Sequence, residues 1–281
     1  MLYEQKQIYA IINNFKKHTN IDLTKQNIEI LNTDQNHLIF SGERVIINQE
    51  VKGKYAKTLN EHMYRYQYAC HFMNGATVLD AACGVGYGVK MMGLSGAVQV
   101  TGLDISEESI QIARSLYYSA NTNFIVGDVT AMPFADESFD TIVSYETIEH
   151  IMDGSKFIKE SARVLRENGL FIVSTPNRYL TNPGLYFDEQ PINPFHCFEY
   201  SALEFIGAIL KEYNIIEIYG QSFVADQDVD YTLQLRKLRK LDLTALPSSK
   251  ITVEGHHLVP LSEIKDAQPI FIVALCQKKS R

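Results

Sequence analysis

Residues 78–88 read VLDAACGVGYG, an apolar run delivered straight into Gly84, Gly86 and Gly88 with a helix-length segment behind them. Such a stretch is a strand that turns sharply into a helix, because glycine lets the backbone bend and approach a ligand with no Cβ in the way. Further short apolar runs rich in β-branched residues follow in AVQVTGLD, TNFIVGD, DTIVSYE and GLFIVSTP. Between them, residues 87–92, 107–120 and 155–167 read as helices. Strands alternating with helices indicate crossover units and a mostly parallel sheet covered by helices on both faces, an α/β architecture.

The flanking segments are organised differently. Leu2, Ile8, Ile11, Ile12 and Phe15 recur at helical spacing, and residues 20–36 are polar and loop-like, so residues 1–70 are expected to form an N-terminal helical extension. Residues 71–281 then form one domain, with an irregular stretch around Pro183, Pro191 and Pro194. A helix over 201–213 and a strand over 215–219 follow, and IFIVALCQK reads as the last strand. An insertion at about 221–268 carries YTLQLRKLRKLDL, which has the pattern of an amphipathic helix with a solvated basic face.

Charge and cysteine usage narrow the function. With 26 Lys and Arg against 33 Asp and Glu, the net charge is -7, and a surface built to bind polyanions is not expected. Nucleic acid is therefore not the expected partner. Cys70, Cys83, Cys197 and Cys276 form no CxxC pair, which excludes a zinc ribbon and argues against a disulfide framework. The opening MLYEQKQIYAI lacks the apolar core of a secretory signal, and no apolar run approaches the roughly 20 residues of a membrane span, so a cytoplasmic location is expected.

Two acidic residues give the glycine loop a ligand. Asp104 ends the next strand, in VTGLDIS, where a carboxylate can take both hydroxyls of a ribose. Asp128 ends the third, in FIVGDVT. A nicotinamide dinucleotide would also use a glycine turn and a ribose carboxylate, but with G-x-G-x-x-G spacing. Here the spacing is G-x-G-x-G, and Asp80 precedes it. A carboxylate there repels a pyrophosphate and suits an ammonium or sulfonium group, which favours S-adenosylmethionine.

From about Tyr64 to Gln221 the chain resembles the class I S-adenosylmethionine-dependent methyltransferases. The resemblance is carried by VLDAACGVGYG, GLDIS, FIVGDVTAMPFADESFD, IVSYETIEHI, ARVLRENGLFIVSTPN and NPFHCFEYSALEF. One departure is Ala82, where many members have the first glycine of D-x-G-x-G-x-G. The resemblance implies a Rossmann-like methyltransferase fold with a mostly parallel seven-stranded sheet. It also implies that Ala82, Gly84 and Gly86 line the methionine part of the cofactor and that Asp104 binds the ribose with Ile105 beside the adenine. Asp128 would accept from the adenine amino group, with Val129 near the ring. Asp80 would hold the loop or the cofactor amino group, Arg65 and Tyr66 would reach its carboxylate, and Tyr145 would lie against it. For Arg65, a surface salt bridge is the competing expectation.

After the fourth strand, YETIEHI puts Glu146, Glu149 and His150 at i, i+3 and i+4, one face if the segment is helical. Two acids in a first helical turn also complement the macrodipole, which needs no ligand to explain it. His196, in NPFHCFEYS, follows the fifth strand, and ligands in open α/β sheets bind outside the carboxyl ends of such strands. Two carboxylates and two imidazoles suit Mg²⁺, Mn²⁺ or a similar ion. The pattern E-x-x-E-H with a later H-x-F-E, residues 196–199, resembles the metal site of small-RNA 3′-terminal 2′-O-methyltransferases, and its first half resembles ubiquinone-pathway O-methyltransferases. Glu146, Glu149, His150 and His196 are thus candidate metal ligands, and His150, His196 and Glu149 candidate catalytic groups. The remaining histidines read as isolated, with His256 and His257 in a solvated turn of the insertion. An alcohol is a poor nucleophile near neutral pH and gains from a base or a metal, so the cluster points to O-methylation of a small-molecule hydroxyl. RNA ribose methylation and a catalytically idle cofactor-binding protein are the alternatives.

Overall fold

A computed structural model of the chain describes residues 4–17, 56–183, 185, 188–226, 229 and 257–280. The expected loop over 20–36 and the amphipathic segment YTLQLRKLRKLDL lie outside these residues. The described elements are helices α1 (Gln5–Lys17), α2 (Ala56–Cys70), α3 (Tyr87–Leu94), α4 (Glu107–Tyr117), α5 (Gly154–Val164), α6 (Arg178–Thr181) and α7 (Ala202–Ile209). The strands are β1 (Thr77–Ala81), β2 (Gln99–Asp104), β3 (Thr122–Val126), β4 (Phe139–Ser144), β5 (Leu165–Pro176), β6 (Tyr213–Ala225), β7 (Val259–Pro260) and β8 (Ala267–Lys278).

All eight strands join one sheet in the order β3-β2-β1-β4-β5-β8-β6-β7. The five strands from β3 to β5 in that order pair in parallel, while β8 runs antiparallel to both β5 and β6. Seven of these strands match the expected sheet; the eighth is the two-residue β7, paired with Tyr219 and Gly220 at the edge. Strand order reverses between β1 and β4, which opens a crevice at their carboxyl ends.

The period-two alternation of strand side chains divides the core into two layers. Val78, Val143 and Ile172 point to one face, where α1 to α4 bring Ile8, Ile12, Tyr68, Val89 and Ile110. Leu79, Ile142 and Phe171 point to the other, against Phe157 and Ile158 of α5 and Phe205 and Ile209 of α7. Apolar residues thus occupy both faces of these strands, which is why the sequence reads as continuous apolar runs.

Helix ends depart from the expected limits for local reasons. Helix α4 stops at Tyr117 because Tyr118 is extended, and α5 starts one residue early because Asp153 caps it through Ser155 N and Lys156 N. It ends at Val164, since the chain enters β5 at once. Helix α7 begins after Ser201 with a capping box to Glu204 and is shorter than the expected 201–213.

Candidate active site

At the carboxyl end of β1 the chain turns through three left-handed residues, Ala82 at φ 64°, Gly84 at φ 54° and Gly86 at φ 86°. The glycines differ in what they make room for. A Cβ on Gly84 would meet nothing within 4 Å, so this side of the loop is open. A Cβ on Gly86 would come within 2.6 Å of Phe124 and 2.7 Å of Ala113, so its smallness serves packing against β3 and α4. A Cβ on Gly88 would strike the Tyr66 ring at 2.1 Å. Ala82 is the one member of the loop that pays a Cβ penalty for its left-handed turn.

Asp104 ties the first two crossover loops together. Its Oδ2 accepts from Gly84 N at 2.9 Å and its Oδ1 from Ser106 N at 2.8 Å, with the residue 6% exposed. Each oxygen keeps acceptor capacity for a further donor. Ile105 beside it is exposed, and Asp128, also exposed, accepts from Thr130 N at 2.7 Å. Val129 is buried with Leu79, Leu103 and Met132 and so belongs to the core.

Asp80 is fully buried, and both its oxygens accept from the Tyr66 hydroxyl, at 3.2 and 3.1 Å. Among the described residues no cation pairs with it. Burial therefore pushes its carboxyl up to about 8, the Tyr66 hydrogen bond opposing and the Asp104 charge reinforcing the shift. A buried carboxylate with no countercharge beside an open glycine turn fits a ligand that brings an ammonium group.

Arg65 is also fully buried, which excludes the surface salt bridge considered above. Its Nη1 donates to Gln221 Oε1 at 2.7 Å and lies 3.9 Å from Glu146 Oε1, and its guanidinium sits 5.0 Å from the Phe271 ring centroid. Nε and Nη2, the edge that takes a carboxylate side-on, have no hydrogen-bond partner among the described residues. Tyr145 is buried against this group, its hydroxyl donating to Arg65 O at 2.8 Å.

Beyond β4 the expected helical face is absent. Glu146 is left-handed at φ 50°, and the turn that follows is a single 3₁₀ turn, Ile148–His150. Glu146 consequently faces Ser174 Oγ, which donates to its Oε1 at 2.5 Å, and Arg65. Glu149, His150 and His196 do converge: one ligand atom from each lies within 4.8 Å of the others. The two imidazoles meet edge to face, with ring centroids 4.7 Å apart. Glu146 is not part of that group. Glu149 is wholly buried, accepts from Thr175 Oγ1 at 3.0 Å through Oε2, and has no partner for Oε1 among the described residues. Burial first, then the charges of Glu146 and Glu199, hold its carboxyl well above the usual range.

The two histidine loops are laced by main-chain bonds. Cys197 N and Phe198 N donate to Glu149 O at 2.7 and 3.1 Å, and Cys197 Sγ donates to His150 O at 3.2 Å. His150 Nδ1 lies 3.1 Å from Phe195 O, a carbonyl that can only accept, so Nδ1 carries the proton and Nε2 is the basic nitrogen. Glu199, buried beside His196, closes the His-x-Phe-Glu pattern of residues 196–199; Gln221, buried beside Arg65, was not singled out from the sequence. His257, expected in a solvated turn, instead packs edge to face on Tyr64 at 4.8 Å.

A family profile described as a methyltransferase domain matches residues 79–173, from β1 into β5. A Mycolicibacterium smegmatis protein named "Probable S-adenosylmethionine-dependent methyltransferase" is 38% identical over 143 residues, 51% of this chain and 53% of that protein. The ubiquinone biosynthesis O-methyltransferase of Sinorhizobium fredii is 37% identical over 110 residues, 38% of this chain and 44% of that enzyme. The ajmaline N-methyltransferase of Rauvolfia serpentina is 34% identical over 100 residues, 34% of each chain. The matched part thus spans about half or less of the length of these relatives. The crystal structure of an S-adenosylmethionine-dependent methyltransferase from Mesorhizobium loti superposes with a TM-score of 0.52 at 15% identity, covering 78% of this chain and all of that one.

Proposed function

Because the chain carries a class I S-adenosylmethionine-dependent methyltransferase domain, we propose that it transfers the cofactor's methyl group to a hydroxyl of a small-molecule acceptor. The relatives include both an O- and an N-methyltransferase, so their names do not choose the acceptor atom. The observation that carries the reading is the convergence of His150 and His196 beside buried Glu149, beyond β4. An amine acceptor needs little besides positioning, whereas a hydroxyl must lose its proton during attack.

S-adenosylmethionine supplies a sulfonium-bound methyl electrophile. In this reading Asp104 holds the ribose, Asp128 the adenine amino group, and Ile105 lies against the ring. Asp80 pairs with the cofactor's ammonium, and the unused edge of Arg65 takes its carboxylate. Bound there, the cofactor would give up its methyl group to the acceptor oxygen and depart as S-adenosylhomocysteine, while His150 Nε2 would take the hydroxyl proton. Glu149, His150 and His196 also form a donor set suited to a divalent ion, which would lower the pKa of a bound hydroxyl. The segment at about 221–268 is proposed to contribute to the acceptor pocket.

The test is transfer of labelled methyl from S-adenosylmethionine to a small-molecule cell extract and, in parallel, to total RNA, each with and without a chelator. Label in the small-molecule fraction supports the reading, and label in RNA alone overturns it. Loss of transfer with the chelator, restored by Mg²⁺ or Mn²⁺, assigns the cluster to a metal; indifference to it assigns His150 to general base catalysis.

A further inference from the structure

Glu199 is 3% exposed and belongs to no helix or strand. A buried carboxylate costs several kcal/mol of desolvation unless its hydrogen bonds are satisfied. Here Oε1 accepts from His196 Nδ1 at 2.5 Å and Oε2 accepts from the hydroxyl of Thr181, the last residue of α6. No lysine or arginine among the described residues pairs with it; its partner is the His196 imidazole. The side chain is thus committed to one imidazole.

The opposite side of that ring identifies the tautomer. His196 Nε2 lies 2.9 Å from Asn193 Nδ2. The Asn193 amide has one orientation, because its Oδ1 accepts from Phe195 N at 3.1 Å. Nδ2 is therefore the donor, and Nε2 must be unprotonated. The proton lies on Nδ1, facing Glu199. His150, with Nδ1 on the Phe195 carbonyl, is held in the same form.

We propose that Glu199 is the positioning residue of His196, holding the ring as its Nδ1–H tautomer so that Nε2 is the basic nitrogen of a ring that lies beside Glu149 and His150. The proposal rests on the methyltransferase reading for its consequence but not for its geometry. A carboxylate behind a histidine fixes ring orientation and raises the basicity of the far nitrogen, and losing such a partner typically costs about 10–100-fold in activity or metal affinity. A group that uses Nε2 displaces only one neutral hydrogen bond, from Asn193.

The experiment uses the full chain labelled with ¹⁵N-histidine, at a pH where His196 is neutral, with His196→Gln identifying its signals. Ring-nitrogen correlation spectra read the tautomer directly. The parent is expected to show Nδ1 protonated and Nε2 bare. Glu199→Gln keeps an acceptor and should keep that tautomer, whereas Glu199→Met leaves only the neutral hydrogen bond from Asn193 and should move a measurable share of the ring to the Nε2–H form. Labelled-methyl transfer should fall about 10–100-fold in Glu199→Met with KM for S-adenosylmethionine unchanged, and only a few-fold in Glu199→Gln. A parent protonated at Nε2, or a folded Glu199→Met protein with the parental tautomer, overturns the proposal. Should Glu199→Met fail to fold, the parent and Glu199→Gln spectra decide it. The expected tautomers in a protein that methylates no acceptor would support the positioning and overturn the functional reading alone.

Discussion

If Asp80 pairs with the cofactor's ammonium group, as proposed, cofactor binding releases a proton. In the free protein its carboxyl is raised from 3.8 to about 8, chiefly by burial, so near pH 7 about nine molecules in ten carry the proton. Pairing with an ammonium requires the ionised form. Binding near pH 7 should therefore expel about 0.9 proton, and affinity should rise about tenfold between pH 6 and pH 7, about 1.4 kcal/mol. The rise levels off near pH 8, where Asp80 is half ionised and the α-amino group, with an ordinary pKa of roughly 8, begins to lose its own proton. The sign for stability runs the other way. A carboxyl raised in the folded state favours folding at low pH, and the cofactor-free protein should lose stability as the pH climbs from about 4 to about 8. Calorimetric titration in buffers of different ionisation heat counts the protons, repeated from pH 6 to pH 8. Asp80→Asn should bind more weakly, release no proton and show a flat profile. An affinity independent of pH over this range in the parent, or an Asp80→Asn profile identical to it, would refute the pairing.

Ala82→Gly should stabilise the fold by about 0.5–1 kcal/mol, the left-handed penalty less the extra freedom of an unfolded glycine; thermal unfolding reads this. Gly88→Ala should push the Tyr66 ring off its hydrogen bond to Asp80, costing about 1–3 kcal/mol of stability and weakening cofactor binding, whereas Gly84→Ala should hurt binding more than packing. Asp104→Ala should weaken cofactor binding by more than the loss of ribose contacts, because it also releases Gly84 N; calorimetry showing unchanged affinity in the folded variant would sink the assignment. If the cluster holds Mn²⁺, Glu149→Gln should reduce its affinity sharply and Glu146→Gln only slightly; equal losses would restore Glu146 as a ligand.

Much of the fold was legible because chemistry and periodicity agreed. β1, β4 and β5 place apolar residues on both faces, so their runs stand out, and the glycine loop marks the crevice between β1 and β4. Helix ends were less legible, since the extended turn at Tyr118 and the immediate entry of Leu165 into β5 depend on tertiary packing. In the site, proximity of Glu149 and His150 to His196 follows from strand order. The departure of Glu146 does not, because one left-handed residue redirects it and spacing rules presume regular helix. Nor could the pattern say that Glu199 would be buried against His196, or that Asp80 would be buried with no cation beside it: partners brought from distant segments leave no local trace.

The lacing of the two histidine loops has an evolutionary consequence. The contacts that hold residues 195–198 to Glu149 and His150 run mainly through peptide N–H and carbonyl groups, which any residue but proline supplies. The Phe195 side chain is correspondingly released from structural duty and is 55% exposed. The residue at this position could therefore change in bulk or polarity while the imidazoles stay where they are.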